Sequence, residues 1–311
     1  MVEDIQTTGT GASRRPVIFG EVLFDRFPDG TAVLGGAPFN VAWHLRGFGL
    51  DPLFISRVGA DPLGERVREA MADWGMDLSG LQSDPLHPTG VVEVTLEGAQ
   101  PRYDILPRQA YDFIEPAPAL RALENVAGFC LYHGSLAARH AVSRSCLQAL
   151  RTGRDLPVFL DLNLRAPWWN LPAVFDLVDG ARWLKLNDTE FDTVAGGPVP
   201  EAEARNVADN LRRSHHLEML AVTFGADGAL IVTEGAALRI MPHALEVVDT
   251  VGAGDACSAV LLLGLWRNWP FALALRRATD FAGAICQQRG ATNRDRAFYA
   301  SYLREWDNEQ P

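Results

Sequence analysis

The stretch Val248-Asp-Thr-Val-Gly-Ala-Gly-Asp-Ala-Cys-Ser-Ala-Val-Leu-Leu-Leu-Gly-Leu265 decides how this chain is read. Its first half is small and polar. Its second half is an apolar run of helical length. The join, Gly252-Ala253-Gly254-Asp255, is a glycine turn that opens the helix. A helix start presents backbone N–H groups without intrahelical partners and carries partial positive charge. Glycines let an anion approach that backbone closely. Asp255 therefore puts a carboxylate where an anion should bind, which is odd unless the carboxylate works as a base beside it. The plainer alternative is an acidic residue favoured by the helix dipole in the first turn.

Around that stretch the chain has 311 residues, 48% hydrophobic and 22% charged, enough for one large α/β domain or two smaller ones. A formal net charge of −11 argues against a nucleic-acid or anionic-membrane surface. Cys130, Cys146, Cys257 and Cys286 are widely spaced, as expected of free thiols in a reducing cytoplasm. No histidine spacing suggests zinc, and His215-His216 reads as the solvent side of a polar helix. Residues 1–15 read as a disordered polar tail and 304–311 as a C-terminal tail. The run Ala256–Leu275 is interrupted by Arg267, Asn268 and Pro270, so it predicts no membrane span.

From Pro16 the chain alternates short apolar strands with amphipathic helices. Strands are predicted near residues 16–20, 53–58, 129–133, 158–162, 183–186 and 219–223. Helices are predicted near 38–48, 62–74, 138–151, 171–180, 202–214, 255–266 and 271–288. A hairpin is expected at 229–241. This order implies a mainly parallel sheet covered on both faces, with ligands beyond the carboxyl ends of the strands. Residues 22–34 and 89–106 alternate without nearby helices and predict a small separate sheet, with a hairpin turn at Glu97-Gly98-Ala99.

No Gly-x-x-x-x-Gly-Lys-[Ser/Thr] loop, His-Arg-Asp loop or complete dinucleotide fingerprint is present. What is present resembles the ribokinase-like, or PfkB, carbohydrate kinases. Gly35-Gly36-Ala37-Pro38-Phe39-Asn40-Val41-Ala42 matches that family's first signature, and Asp249-Thr250-Val251-Gly252-Ala253-Gly254-Asp255 matches its second. Asp161-Leu-Asn163-Leu-Arg165, Asn187-Asp-Thr-Glu190 and Thr223-Phe-Gly225-Ala-Asp-Gly228 fit as intermediate landmarks. The resemblance spans residues 16–303. It implies a three-layer α/β/α sandwich with a mainly parallel central sheet and a small β-sheet lid.

The resemblance also implies roles. Asp255 would be the general base for a sugar hydroxyl attacking the γ-phosphate of ATP, and Gly252, Ala253 and Gly254 the anion hole. Asp25, Gly35, Gly36 and Asn40 would bind sugar hydroxyls. Thr223, Gly225 and Gly228 would contact the nucleotide, with Asn187. Asn187 and Glu190 would order Mg²⁺ through water, although the same spacing fits a helix capping box. Asp249 and the carbonyl of Val251 would hold a monovalent cation such as K⁺, at a position where the family often has Thr. Arg165 would meet a phosphate or a substrate carboxylate, or else form a surface ion pair. Tyr103 would cover the substrate from the lid, or else be a plain exposed strand residue. Trp168-Trp169 are expected to pack rather than to stack on sugar.

Gly20-Glu-Val-Leu-Phe-Asp25 with Gly-Gly-Ala-Pro-x-Asn looks most like the fructokinase branch, which makes fructose the first expected substrate. A 2-keto-3-deoxygluconate kinase is the alternative within the class, and a nucleoside kinase fits less well. A catalytically silent sugar- or nucleotide-binding protein on the same fold is the alternative outside it. A homodimer through exposed lid strands is expected.

Overall fold

The structure is a computed structural model that describes residues 13–97, 100–243 and 246–309. In chain order it contains β1 (Ser13–Phe19), β2 (Leu23–Arg26), β3 (Ala32–Gly35), α1 (Ala37–Gly47), β4 (Leu53–Gly59) and α2 (Pro62–Asp73). There follow β5 (Leu81–Asp84), β6 (Gly90–Glu97), β7 (Gln100–Ile105), α3 (Pro116–Ala122), β8 (Val126–His133), α4 (Ala141–Gly153) and β9 (Val158–Asp161). The second half contains α5 (Leu171–Val178), β10 (Trp183–Asn187), α6 (Asp188–Ala195), α7 (Ala204–Ser214), β11 (Met219–Thr223), β12 (Ala229–Thr233) and β13 (Ala236–Ile240). Three helices close the chain: α8 (Ala253–Trp266), α9 (Phe271–Cys286) and α10 (Arg296–Asn308).

The large sheet runs β13-β12-β11-β10-β9-β8-β1-β4-β5. From β11 to β5 every pairing is parallel, and the β12–β13 hairpin adds antiparallel strands at one edge. Successive strand side chains point to opposite faces. Ile18, Cys130, Tyr132, Phe159 and Met219 pack with α1, α2, α8, α9 and α10. Val17, Leu131, Leu160, Leu184 and Leu220 pack with α3 to α7. The predicted three-layer sandwich is thus the observed one.

Chain direction across the sheet reverses at β1. From there β4 and β5 run one way, and β8 to β11 the other. Such a reversal leaves a crevice at the carboxyl ends of the strands. Over it lies the small sheet, ordered β3-β2-β6-β7, in which only β2–β6 is parallel. Leu23, Val92 and Ile105 fasten it to the core. Asp61 caps α2 and also accepts the Thr89 backbone N–H at 2.8 Å, tying the entrance of β6 to the large domain.

Three expectations need correction. The N-terminal tail does not extend to residue 15, because Ser13 already begins β1. Arg15 is 7% exposed and bonds the Asp51 carbonyl and the Asp77 carboxylate, each at 2.8 Å. Residues 304–308 are not tail but the last turns of α10, which buries Trp306. Of the pair expected to face solvent, His216 is exposed, but His215 stacks on Phe175 and bonds Asp179 at 2.5 Å. Residues 1–12, 310, 311, and Gly98-Ala99 of the expected hairpin turn lie outside the described residues. Cys130, Cys146 and Cys257 are buried free thiols, and Cys286 is a half-buried one.

Candidate active site

Gly252 is the residue preceding α8, in the left-handed region at φ 81°. A Cβ there would stand 2.4 Å from the Ala291 Cβ, so both conformation and space require glycine. His44 of α1 bonds the Ala291 carbonyl at 3.0 Å and so fixes the floor of this turn. The Ala253 N–H leans on the Thr250 carbonyl at 3.3 Å, leaving the N–H groups of Gly254 and Asp255 as the better-placed donors at the open first turn.

Asp255, half-buried, points from that first turn toward α1. Asn40 donates to its Oδ2 at 2.8 Å, joining the two glycine signatures across 215 residues of chain. Burial pushes Asp255 up to about 6. Asn40 and, further off, Lys185 and Arg165 oppose the rise, whereas the Asp161 carboxylate adds to it. A carboxyl in that range accepts a proton near neutral pH more readily than an ordinary aspartate.

The residues expected to meet the sugar converge on the same crevice. Gly36 lies at φ 109°, and a Cβ on it would stand 2.7 Å from the Glu21 carbonyl oxygen. The start of α1 therefore lies close against the exit of β1, with room there for glycine alone. A Cβ on Gly35 would meet the Asp25 carboxylate at 3.9 Å. Burial raises Asp25, and Arg165 lowers it in return. The Arg165 guanidinium also acts on Glu21, Tyr103 and Asp255, so this exposed cation faces the crevice as well as solvent. Tyr103 of β7 is 48% exposed and senses Asp25 and Asp249, which puts it at the lid's edge over the cleft. Trp168 and Trp169 pack at the rim, with Arg139 4.3 Å above the Trp168 ring.

Among the residues expected to meet the nucleotide, Asn187 and Thr223 are register partners at the ends of β10 and β11. Asn187 and Glu190 form a complete reciprocal capping box, with bonds of 2.8 and 2.9 Å. The other Glu190 oxygen accepts the Leu164 N–H at 2.7 Å and steadies the loop that carries Arg165. Burial raises Glu190. Gly228 has a local reason to be glycine, since a Cβ would meet the Ile240 carbonyl at 2.0 Å. Gly225, at φ 56°, faces open space. Asp249 accepts from the Val251 and Gly290 N–H groups at 3.0 and 3.1 Å, pinning the loop before the turn, and Val251 is exposed.

Two features escaped the sequence reading. Glu21, 3% exposed, has an unpartnered Oε2, and burial pushes it up to about 7. Its only signal was a carboxylate at the end of an apolar strand. The second is a buried polar cluster under α8. Lys185 bonds both oxygens of Asp161 at 2.9 and 3.0 Å, and Ser258 donates to Asp161 at 2.6 Å. The charge inside Trp-Leu-Lys-Leu was the available sign. A separate concavity of about 510 Å³ near Arg182 and Glu218 sits at the amino ends of β10 and β11, away from all of these residues.

A crevice at a sheet reversal, lined by polar groups and a helix start bearing a raised carboxylate, fits a small-molecule phosphotransferase. The chain belongs to the pfkB family carbohydrate kinases, whose sequence profile matches residues 15–297. It is 31% identical over 264 residues to a fructokinase of Klebsiella pneumoniae, covering 80% of this chain and 83% of that protein. A Vibrio cholerae fructokinase solved with fructose, ADP and calcium superposes with a TM-score of 0.75 at 26% identity, covering 94% of this chain and 99% of that one. Aminoimidazole riboside kinase of Salmonella enterica shares the fold, with a TM-score of 0.77 at 23% identity over 93% of this chain and 99% of that one. The protein is a sugar kinase with the ribokinase-like fold.

Proposed function

We propose that this kinase transfers the γ-phosphoryl group of ATP to a hydroxyl of fructose or a related ketose. The observation that carries this reading is the Asn40–Asp255 hydrogen bond of 2.8 Å. It brings a residue of the sugar-side helix to the carboxylate at the phosphate-side helix start, so one point serves both. Ionised Asp255 takes the hydroxyl proton as the sugar oxygen bonds to the γ-phosphorus. The bond to the bridging oxygen breaks, and ADP leaves with the electron pair. A positioned base contributes on the order of 10²–10⁴ in rate. N–H donors of the Gly252–Gly254 turn, each worth roughly 10²–10³, stabilise the charge on the transferred group.

Asn187 and Glu190 fit a magnesium ion held through water. Each Glu190 oxygen accepts one backbone N–H and keeps further lone-pair capacity, and magnesium retains most of its own water. When bound, the ion neutralises charge on the β- and γ-phosphates. Asp249 with the Val251 carbonyl is proposed to hold K⁺, and replacing K⁺ by Na⁺ in the assay tests it. The exposed edge strand β3, with Val33 41% exposed, supports pairing of two lids in a homodimer, to be checked by sedentimentation equilibrium. No helix among the described residues is long and apolar enough to cross a membrane, and free thiols accord with a cytoplasmic location.

The deciding experiment measures ADP release with fructose, other ketoses, 2-keto-3-deoxygluconate and ribose. Fructose is expected to give the highest kcat/KM. The exposed Arg165 beside Asp25 favours a second reading, a sugar acid whose carboxylate it would pair. A higher kcat/KM for 2-keto-3-deoxygluconate would establish that reading instead.

A further inference from the structure

We propose that Lys185 is a positioning residue for phosphoryl transfer. Fixed by Asp161 beneath the amino end of α8, its ammonium directs positive charge through Gly254 at the phosphoryl group on the Gly252–Gly254 turn. The inference rests on the phosphotransfer reading above and adds a residue to it.

Lys185 and Asp161 are direct register partners on β10 and β9. Strand alternation turns both toward α8, on the face where Phe159 and Trp183 also point. Lys185 is 4% exposed and Asp161 2%. Asp161 is held by the ammonium, by Ser258 at 2.6 Å and by the Tyr132 hydroxyl at 3.3 Å. Ser258 lies one turn along α8 from Gly254, so the anchor belongs to the same helix as the anion hole. A Cβ on Gly254 would stand 3.3 Å from Lys185 Nζ, which puts the ammonium against the underside of the turn.

For the fold alone this placement is poor. A buried ion pair is often no better than a well-packed apolar pair. A cation at a helix amino end also opposes the helix dipole. For an anion above the turn the same placement is favourable, because charge and dipole act together.

The test compares wild type with Lys185→Met/Asp161→Asn, which removes both charges of the pair together. Fluorescence titration measures affinity for ADP with magnesium, with and without aluminium fluoride, which mimics the transferred phosphoryl group. Circular dichroism checks the fold, and kcat and KM are measured with fructose. The expected result is a loss of about 100-fold in kcat and in analogue affinity. ADP affinity and the fructose KM should stay within about threefold, since neither involves the transferred group. Unchanged analogue affinity in the folded variant overturns the inference, as does an equal loss for ADP and analogue. If the double variant does not fold, Lys185→Gln keeps a donor to Asp161 without the charge and is judged by the same ratio. Wild type that binds the analogue but phosphorylates no sugar would fault the substrate reading alone, while the analogue ratio still judges Lys185.

Discussion

The site joins two regions built very differently. The start of α8 stands on a helix whose residues from Ala256 to Gly264 are buried and which packs against α1 and α9. The lid is four short strands, and the face that Leu23, Val92 and Ile105 fasten to the core also carries Val33 and Tyr103, 41% and 48% exposed beyond that contact. The groups assigned to proton and phosphoryl transfer lie on the rigid part. Several groups assigned to the sugar lie on or beside the thin part. Substitutions at the α8 start should therefore lower kcat, and substitutions in the lid should raise KM. Asp255→Asn makes the strongest demand on that contrast. A loss of about 10³–10⁴ in kcat is expected, with the sugar KM nearly unchanged. The same variant should be more stable than wild type at pH 8. Burial raises Asp255 to about 6, above its ordinary 3.8, so its contribution to stability is present below pH 3.8 and lost as pH rises through 6. The gain at pH 8 is on the order of 1–3 kcal/mol, reduced where solvent reaches the carboxylate, and it should vanish at pH 3.5. Thermal melts at the two pH values check it.

Gly252→Ala is next in size. The left-handed φ of 81° and the 2.4 Å approach to Ala291 oblige the turn to shift. Donors aimed at the phosphoryl group shift with it, so kcat should fall by about 10². Steady-state kinetics with saturating sugar is the measurement, and a loss confined to KM would contradict the division between the two regions.

Asn40 bridges the regions, and removing it should produce a smaller, mixed effect. Its hydrogen bond stabilises ionised Asp255, and the proposed base role requires that ionised form, so kcat/KM should fall as pH drops through the Asp255 value. In Asn40→Ala the acid limb moves to higher pH. At pH 6.5 the loss should be about tenfold, shrinking toward pH 8.5 as Asp255 ionises in both proteins. A pH–rate profile with an unmoved acid limb would remove Asn40 from the base's environment.

The rigid region was the more legible in sequence, for a physical reason. The turn before α8 and the start of α1 need glycine for conformation and close approach, and those demands leave fixed residue types at fixed spacing. The pairing of Asp161 with Lys185 leaves no such trace, because it depends on β9 and β10 becoming neighbours. The ends of the domain were misread through charge. Arg14-Arg15 reads as polar tail, yet Arg15 is buried with Asp51 and Asp77 as partners. The charged residues of α10 likewise masked Tyr299, Tyr302 and Trp306, which pack on Phe48 and Phe281. Edge strand β5, Leu-Gln-Ser-Asp, shows little alternation and was not anticipated. Asn187 and Glu190 carried two readings at one spacing, and the capping box is the one whose hydrogen bonds are formed.

The smallest expected effect falls on the lid and tests whether it takes part at all. Tyr103 is half-exposed, and its hydroxyl senses Asp25, Asp249 and Arg165 at the mouth of the cleft. A side chain that covers the sugar only after binding adds contact without touching the reacting atoms. Tyr103→Ala should then raise the fructose KM about threefold to fivefold and leave kcat within about twofold, the pattern of lost uniform binding. Tyr103→Phe separates ring from hydroxyl, and retention of the wild-type KM would assign the effect to the ring. If neither variant changes KM, Tyr103 is an ordinary exposed strand residue, and sugar recognition falls to Asp25, Asn40 and Arg165 beneath it.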